Sequence, residues 1–326
     1  MKVQFVNANQ AAGMIKDGST VGLIGGGSGL VEATLLHEYI EKRFLDTGTP
    51  KELTCIHALG IGDREARGMN RFAHKGMVRR VIGGHWVWSP KMQQLARENS
   101  IEAYVLPGGV IMQLMREVAA KRPGLITHVG LGTFVDPLQD GGRMNEAAVD
   151  PLVERITIDG KDYLRYLPIP IDVALLKGSY ADEEGNISLD EEPANLDIYA
   201  MAAAAHNSGG KVIFQVRKKV AAGSIPARSV RIPSAIVDAV VVDPEQRQSY
   251  EVIYDPSISG ERRNEALKPN FPEFSLRLVI ARRAYEELKE GTVINFGFGI
   301  PDQVAAIVAA EAVSYTHLTL PTNREV

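Results

Sequence analysis

The 326-residue chain carries one cysteine, Cys55, which excludes a disulfide framework and any zinc or iron–sulfur site built from several thiolates. Cys55 lies in Leu53-Thr54-Cys55-Ile56, an apolar strand-like run, and reads as a buried, inert thiol rather than a nucleophile. Long hydrophobic runs are also missing. Nowhere do 18 apolar residues follow one another, so no membrane-spanning helix is expected. The opening Met1-Lys2-Val3-Gln4-Phe5-Val6-Asn7 is too polar for a secretory leader, and the reading places the protein in the cytoplasm. Nor is one sign of charge in excess. Lys and Arg number 36 against 40 Asp and Glu, a net charge of −4, with no basic stripe to engage nucleic acid or an anionic membrane.

Familiar catalytic spacings are absent too. None of the seven histidines sits in His-Glu-x-x-His or another metal-ligand pattern, so no metal is expected. His74 and His85 read as hydrogen-bonded structural residues, and Asp182 and Glu183 as an acidic β-turn. A glycine loop at Gly25-Gly26-Gly27-Ser28-Gly29 fails the dinucleotide fingerprint, and no Gly-Lys-Ser/Thr follows it. It also fails the nucleophile-elbow pattern, having Leu30 where the last glycine must stand.

What is present is an ordinary globular composition, 45% hydrophobic and 23% charged, in a chain long enough for about two domains. Strand-like runs at 20–24, 53–59, 78–82, 103–106, 126–131, 173–176, 212–216 and 239–242 alternate with helical stretches at 31–44, 91–97, 111–120 and 195–206. That alternation predicts parallel βαβ units and a site at the carboxyl ends of the strands.

The start of the sequence reappears near its end. Thr20-Val21-Gly22-Leu23-Ile24-Gly25-Gly26-Gly27 returns as Thr292-Val293-Ile294-Asn295-Phe296-Gly297-Phe298-Gly299, and each copy predicts a helix, a buried strand, a glycine loop and another helix. A repeat this widely spaced implies two related domains. The boundaries read as a first domain over 1–242, an irregular surface linker over 243–272, the start of a second domain over 273–312, and a non-native tail over 313–326. The fold class is therefore α/β: two related open α/β domains, the second present only as its first helix-strand-helix. The last helix carries an apolar face (Val304, Ile307, Val308) with no strand left to cover it, so the segment after about Phe274 is expected to be frayed or sticky. Glycine loops between strand and helix can bind anions through backbone N–H groups, and two equivalent loops strengthen that reading.

At this point the motifs resemble a family I coenzyme A-transferase of the fused acetate/propionate or 3-ketoacid kind. The stretches that carry the resemblance are Gly68-Met69-Asn70-Arg71-Phe72-Ala73-His74-Lys75-Gly76, Arg80-Val81-Ile82-Gly83-Gly84-His85-Trp86 and Leu106-Pro107-Gly108-Gly109-Val110-Ile111. With them go Val129-Gly130-Leu131-Gly132-Thr133-Phe134-Val135-Asp136-Pro137, Ala181-Asp182-Glu183-Glu184-Gly185-Asn186 and Gly297-Phe298-Gly299-Ile300-Pro301.

The resemblance implies transfer of coenzyme A from an acyl-CoA to a short-chain carboxylate through a glutamyl-CoA thioester, with CoA as substrate and no cofactor. It implies an acyl- and CoA-binding surface at Gly25, Gly26, Gly27, Gly29, Gly108, Gly109, Gly297, Gly299 and Pro301, and a homo-oligomer when full length. In such proteins a Thr-x-Glu-x-Gly segment supplies the nucleophile. Here the matching stretch reads Leu318-Thr319-Leu320-Pro321-Thr322-Asn323, and Glu325 falls two residues late. The catalytic glutamate is therefore expected beyond the end of this chain, which would be inactive by itself. The competing reading is a non-catalytic α/β domain that binds an anionic ligand such as a sugar phosphate.

Overall fold

The computed structural model describes residues 2–262, 271–289, 291–297 and 299–312. The chain divides into two units, Met1–Arg262 and Arg263–Val326. The first unit is built on a mostly parallel sheet. From one edge the strands run β1 (Gln4–Phe5), β13 (Ala239–Val242), β11 (Lys211–Val220), β9 (Val173–Asp182), β2 (Thr20–Leu23), β3 (Leu53–His57), β4 (Val78–Gly83) and β5 (Glu102–Val105). Every neighbouring pair in this row is parallel. Two short strands, β10 (Ile187–Ser188) and β12 (Val230–Ile232), extend it in antiparallel sense beside β9.

These strands read as continuous apolar runs because both faces of the sheet are covered, the usual condition of parallel strands. All five residues of β3 are buried. Side chains alternate between two cores. Val173 and Leu175 face one, with α1 (Ala8–Gly13), α2 (Thr34–Thr47) and α3 (Pro90–Arg97). Ala174 and Leu176 face the other, with α4 (Gly108–Ala119) and α5 (Ile198–Asn207). Helix α1 begins in a capping box: the Asn7 side chain accepts from Gln10 N at 2.8 Å, and the Gln10 side chain accepts from Asn7 N at 3.0 Å.

The strand order fixes where a site can form. From β2 the chain builds outward through β3, β4 and β5, then returns to the other side of β2 to lay down β9, β11 and β13. Connections therefore diverge between β2 and β9, opening a crevice at the carboxyl ends of the strands.

Two sequence expectations are corrected here. The run at 126–131 is a strand only over β6 (Leu125–Thr127), and it joins no parallel sheet. It pairs with β8 (Lys161–Tyr166), which pairs with β7 (Val153–Ile158), as a separate antiparallel sheet. The β7–β8 hairpin turns on Asp159-Gly160, both at positive φ (51° and 73°), as the tight turn matching strand twist demands. Second, the connector read over 243–272 is anchored inward at two points, while Glu245, Arg247, Glu251 and Ile253 stay exposed. Gln246 and Gln248 are only 4% and 3% exposed.

The second unit also departs from its reading. It contains α6 (Leu276–Tyr285) and α7 (Ile300–Ala312), and the expected strand at 292–296 does not form. Val293 is 92% exposed, and among the described residues of this unit there is no strand to complete a hydrogen-bonded ladder with it. The apolar face expected to lie bare is covered instead. Val304, Ile307 and Val308 pack against Leu278 and Ala281 of α6, leaving Phe274, Leu276 and Ile280 uncovered. No helix of the described residues is long and apolar enough to cross a membrane.

Asp136, in the glycine-rich turn before the hairpin, fastens the small sheet. Its carboxylate accepts from Gly132 N at 2.8 Å and Leu138 N at 3.1 Å, and pairs with Arg155 of β7 at 2.8 Å. The Gly132 bond leads in holding its pKa below the usual 3.8, with Leu138 and Arg155 adding to it against the opposing effect of burial. A depressed folded-state pKa stabilises the protein above 3.8, and that contribution disappears as pH falls through the lower folded value. Asp136→Asn should therefore lose stability at neutral pH and show a flatter decline in urea midpoint between pH 5 and the acid limb. Parallel curves for wild type and variant would contradict this role.

Candidate active site

Loops leave the carboxyl ends of adjacent strands in a row. After β2 comes Gly25–Gly29, whose last three residues form a single 3-10 turn. This loop is forced: Ser28 has φ 66° and Val31 has φ 58°. Left-handed backbone is costly for any side chain, and a β-branched residue there is a true outlier. After β3 the chain runs through Gly60 and Gly62, after β4 through Gly84 to Trp88, and after β5 into the first turn of α4 at Gly108 and Gly109. The loops touch. A side chain on Gly27 would overlap the Trp88 indole, and one on Gly60 would overlap both Trp88 and His85. Gly84 packs against Ala58 O and the Gly108 backbone.

Of the sequence-predicted site residues, Gly25, Gly26, Gly27, Gly29, Gly108 and Gly109 thus stand along one sheet edge. Gly297, Gly299 and Pro301 belong to the second unit, where Gly299 N donates to the Asp302 carboxylate at 3.1 Å and Pro301 lies in the first turn of α7. The stretch that would correspond to the nucleophile, 318–325, lies outside the described residues.

Beneath the glycine loop is a buried carboxyl group that composition and spacing did not single out. Glu32 is 0% exposed. One oxygen accepts from Gly62 N at 3.0 Å, and the other is bonded to the Tyr250 hydroxyl. Tyr250 comes from the segment after β13. Its N–H donates to Ser28 O at 2.7 Å, its ring fills the space where Gly29 lacks a side chain, and Arg67 stacks on that ring at 4.9 Å. Burial pushes the Glu32 pKa up to about 8, against the lowering by Tyr250, Gly62 and nearby Lys177. At neutral pH the group is mostly the neutral acid.

Lys177, on β9 across the switch point, is 1% exposed. Its ammonium donates to Arg247 O at 2.6 Å and pairs with Glu192 at 3.0 Å. Gln246 donates to Gly178 O at 2.8 Å, and Gln248 donates to Glu191 O at 2.7 Å. The buried ammonium and the two buried amide nitrogens therefore each have a partner, as a low-dielectric interior favours. The effect is to sew the segment after β13 onto the ends of β9 and β2.

Other candidate groups take structural parts. Burial pushes the Cys55 thiol up to about 12, which suits an inert side chain. His74 bonds Glu41 at 2.9 Å and stacks on Phe44. Asp182 closes its turn by accepting from Glu184 N and Asn186 N. His57 Nδ1 meets Leu59 O at 2.7 Å, and burial lowers its pKa to about 4. His85, read as a hydrogen-bonded structural residue, is instead exposed at the edge of the row with its ring beside Gly60. What the edge presents is a row of closely packed, glycine-rich backbone at the carboxyl ends of adjacent strands.

The family model for coenzyme A transferases matches residues 5–243. The chain belongs to the coenzyme A transferase family. It is 38% identical over 312 residues to acetate CoA-transferase YdiF of Escherichia coli K12, covering 95% of this chain and 59% of that protein. It is 41% identical over 324 residues to caffeate CoA-transferase of Acetobacterium woodii, covering 98% and 61%. Its fold is similar to the crystal structure of an acyl-CoA transferase (YdiF) from E. coli O157:H7 in a thioester complex with CoA. There the TM-score is 0.90 at 38% identity, over 96% of this chain and 60% of the other. The chain spans about three fifths of the length of these relatives. The family and the α/β architecture expected from the motifs are both shown.

The raised Glu32 pKa has a measurable consequence. A folded-state value above the ordinary 4.5 means that the stability contributed by the neutral acid is complete below pH 4.5 and is lost as pH rises through 8. Glu32→Gln, neutral throughout, should match wild type at pH 5 and exceed it at pH 9, with the gap growing by up to about 1.4 kcal/mol per pH unit. Urea midpoints at pH 5, 7 and 9 read this directly, and a constant difference across the three would refute a buried protonated acid.

Proposed function

We propose that this chain is part of an enzyme that transfers CoA from an acyl-CoA to a short-chain carboxylate such as acetate, propionate, butyrate or acetoacetate. The observation that carries this reading is the row of glycine-rich loops that runs from the switch point along the carboxyl ends of β2 to β5, within the stretch matched by the coenzyme A transferase family. The names of the relatives, one acting on acetate and one on caffeate, support the class of reaction.

The chemistry is ping-pong. A glutamate carboxylate attacks the thioester carbonyl, CoA leaves as thiolate, and a mixed anhydride forms. The thiolate then attacks the glutamyl carbonyl of the anhydride, releasing the first acid and leaving a glutamyl-CoA thioester. A second carboxylate reverses the two steps. A carboxylate is a weak nucleophile in water and becomes effective when desolvated and aligned. Backbone N–H groups are suited to stabilising the oxyanion formed at each addition. In this reading Gly25–Gly29 and Gly108–Gly109 face the acyl group and the thioester, while Gly297, Gly299 and Pro301 lie at the CoA side of a second domain.

The same proposal divides the protein into a first domain over 1–242, a linker over 243–272 and the start of a second domain over 273–312. It assigns the glutamate to sequence outside residues 1–312 and makes the working form a cytoplasmic homo-oligomer. Assay of the 326-residue chain with acetyl-CoA and propionate should show no transfer. The same first unit joined to a complete second domain should transfer CoA, and borohydride applied after acyl-CoA should label one glutamate of that domain. A complete two-domain protein that moves no CoA to any of the four acids would overturn the assignment.

A further inference from the structure

Trp88 is where three strand-end loops meet. Its own loop follows β4. One edge of its indole lies against Gly27 from the β2 loop and Gly60 from the β3 loop, positions where any side chain would collide with the ring. The Arg64 guanidinium covers the ring at 4.6 Å. The backbone is fixed as tightly as the ring: Trp88 O accepts from Arg64 N at 3.0 Å and from Asn70 Nδ2 at 3.0 Å, and Asn70 is itself buried. Despite this confinement the residue is only half-buried. A large ring held so firmly in a half-buried residue adds little core burial for the constraint it imposes on two glycines. It does form a hard wall beside the loop that the proposed reaction aims at the acyl group.

Resting on the transferase reading above, we propose that Trp88 is the specificity-determining residue of this site. Its indole sets the upper size of the acyl group, admitting short straight chains and turning away aryl-acyl groups. Removing a ring-sized obstacle from an apolar pocket changes discrimination between substrates differing by several carbons far more than one methylene does, and one methylene is already worth about tenfold or more. A supporting residue of the loops would instead weaken all acyl groups alike when shortened.

Calorimetric titration of the 326-residue protein with acetyl-CoA and with cinnamoyl-CoA reads the ratio of the two affinities. Wild type should favour acetyl-CoA. Trp88→Ala should move the ratio toward cinnamoyl-CoA by at least roughly tenfold, and Trp88→Phe by a smaller step in the same direction. Circular dichroism establishes that each variant is folded, and Trp88→Phe carries the test where alanine is not tolerated. If acetyl-CoA binds and the ratio stays within about threefold of wild type in the folded variants, Trp88 is a structural residue and only this proposal falls. If neither thioester binds the 326-residue protein, the ratio is read instead as kcat/KM for the two thioesters with the first unit joined to a complete second domain. There a ratio unchanged in the folded Trp88 variants overturns this proposal, while transfer itself upholds the transferase reading.

Discussion

A carboxyl group sealed from water holds the candidate site in shape. Glu32 joins segments that sequence places far apart: its own loop after β2, Gly62 after β3 and Tyr250 after β13. Such a group is costly to bury unless its oxygens are bonded, so the three segments must come together for the fold to accept it. The same logic holds on the other side of the switch point, where Lys177 is acceptable inside only because Glu192 and the Arg247 carbonyl meet its ammonium. Hydrophobic burial makes the sheet stable, while these few polar contacts decide how its strand-end loops stand relative to one another.

That division of labour suits the transfer chemistry proposed above. A surface that stabilises a transient oxyanion must be arranged before the charge develops, and a loop containing left-handed Ser28 and Val31 keeps its form only if neighbours over-determine it. Tyr250 supplies two of those constraints, a hydrogen bond to Ser28 and ring contact at Gly29. The segment after β13 is thereby an integral part of the edge on which the glycine loops sit.

Much of this architecture is legible in the sequence, and the remainder is hidden for identifiable reasons. The parallel strands show as β-branched runs because both of their faces are buried. The glycine loops show because strand, glycines and helix follow one another locally. The β7–β8 hairpin carries its own signal in Asp159-Gly160 between alternating residues, and attention to parallel units passes over it. Glu32 and Lys177 are visible as lone charges inside apolar runs, Leu30-Val31-Glu32-Ala33 and Leu175-Leu176-Lys177-Gly178, but their partners lie more than two hundred and about seventy residues away respectively in the case of Tyr250 and Arg247. Polar partners at such separations have no local pattern. Residues 292–296 mislead in the opposite sense: Val293 and Ile294 have strand chemistry, yet a strand exists only where another strand accepts its hydrogen bonds.

The edge strand β1 places a demand on the order of events in synthesis. Among the described residues it pairs with β13 alone, Gln4 with Ala239 and Phe5 with Val240, so a strand made before the others of this unit must wait for the last of them. At roughly 5–20 residues per second that wait lasts tens of seconds. During it, β2 to β5 can already assemble side by side in chain order, while β1 has only the neighbouring capped turn of α1. Closure of this sheet is thus a late event, governed by the pace of translation as much as by the intrinsic speed of pairing.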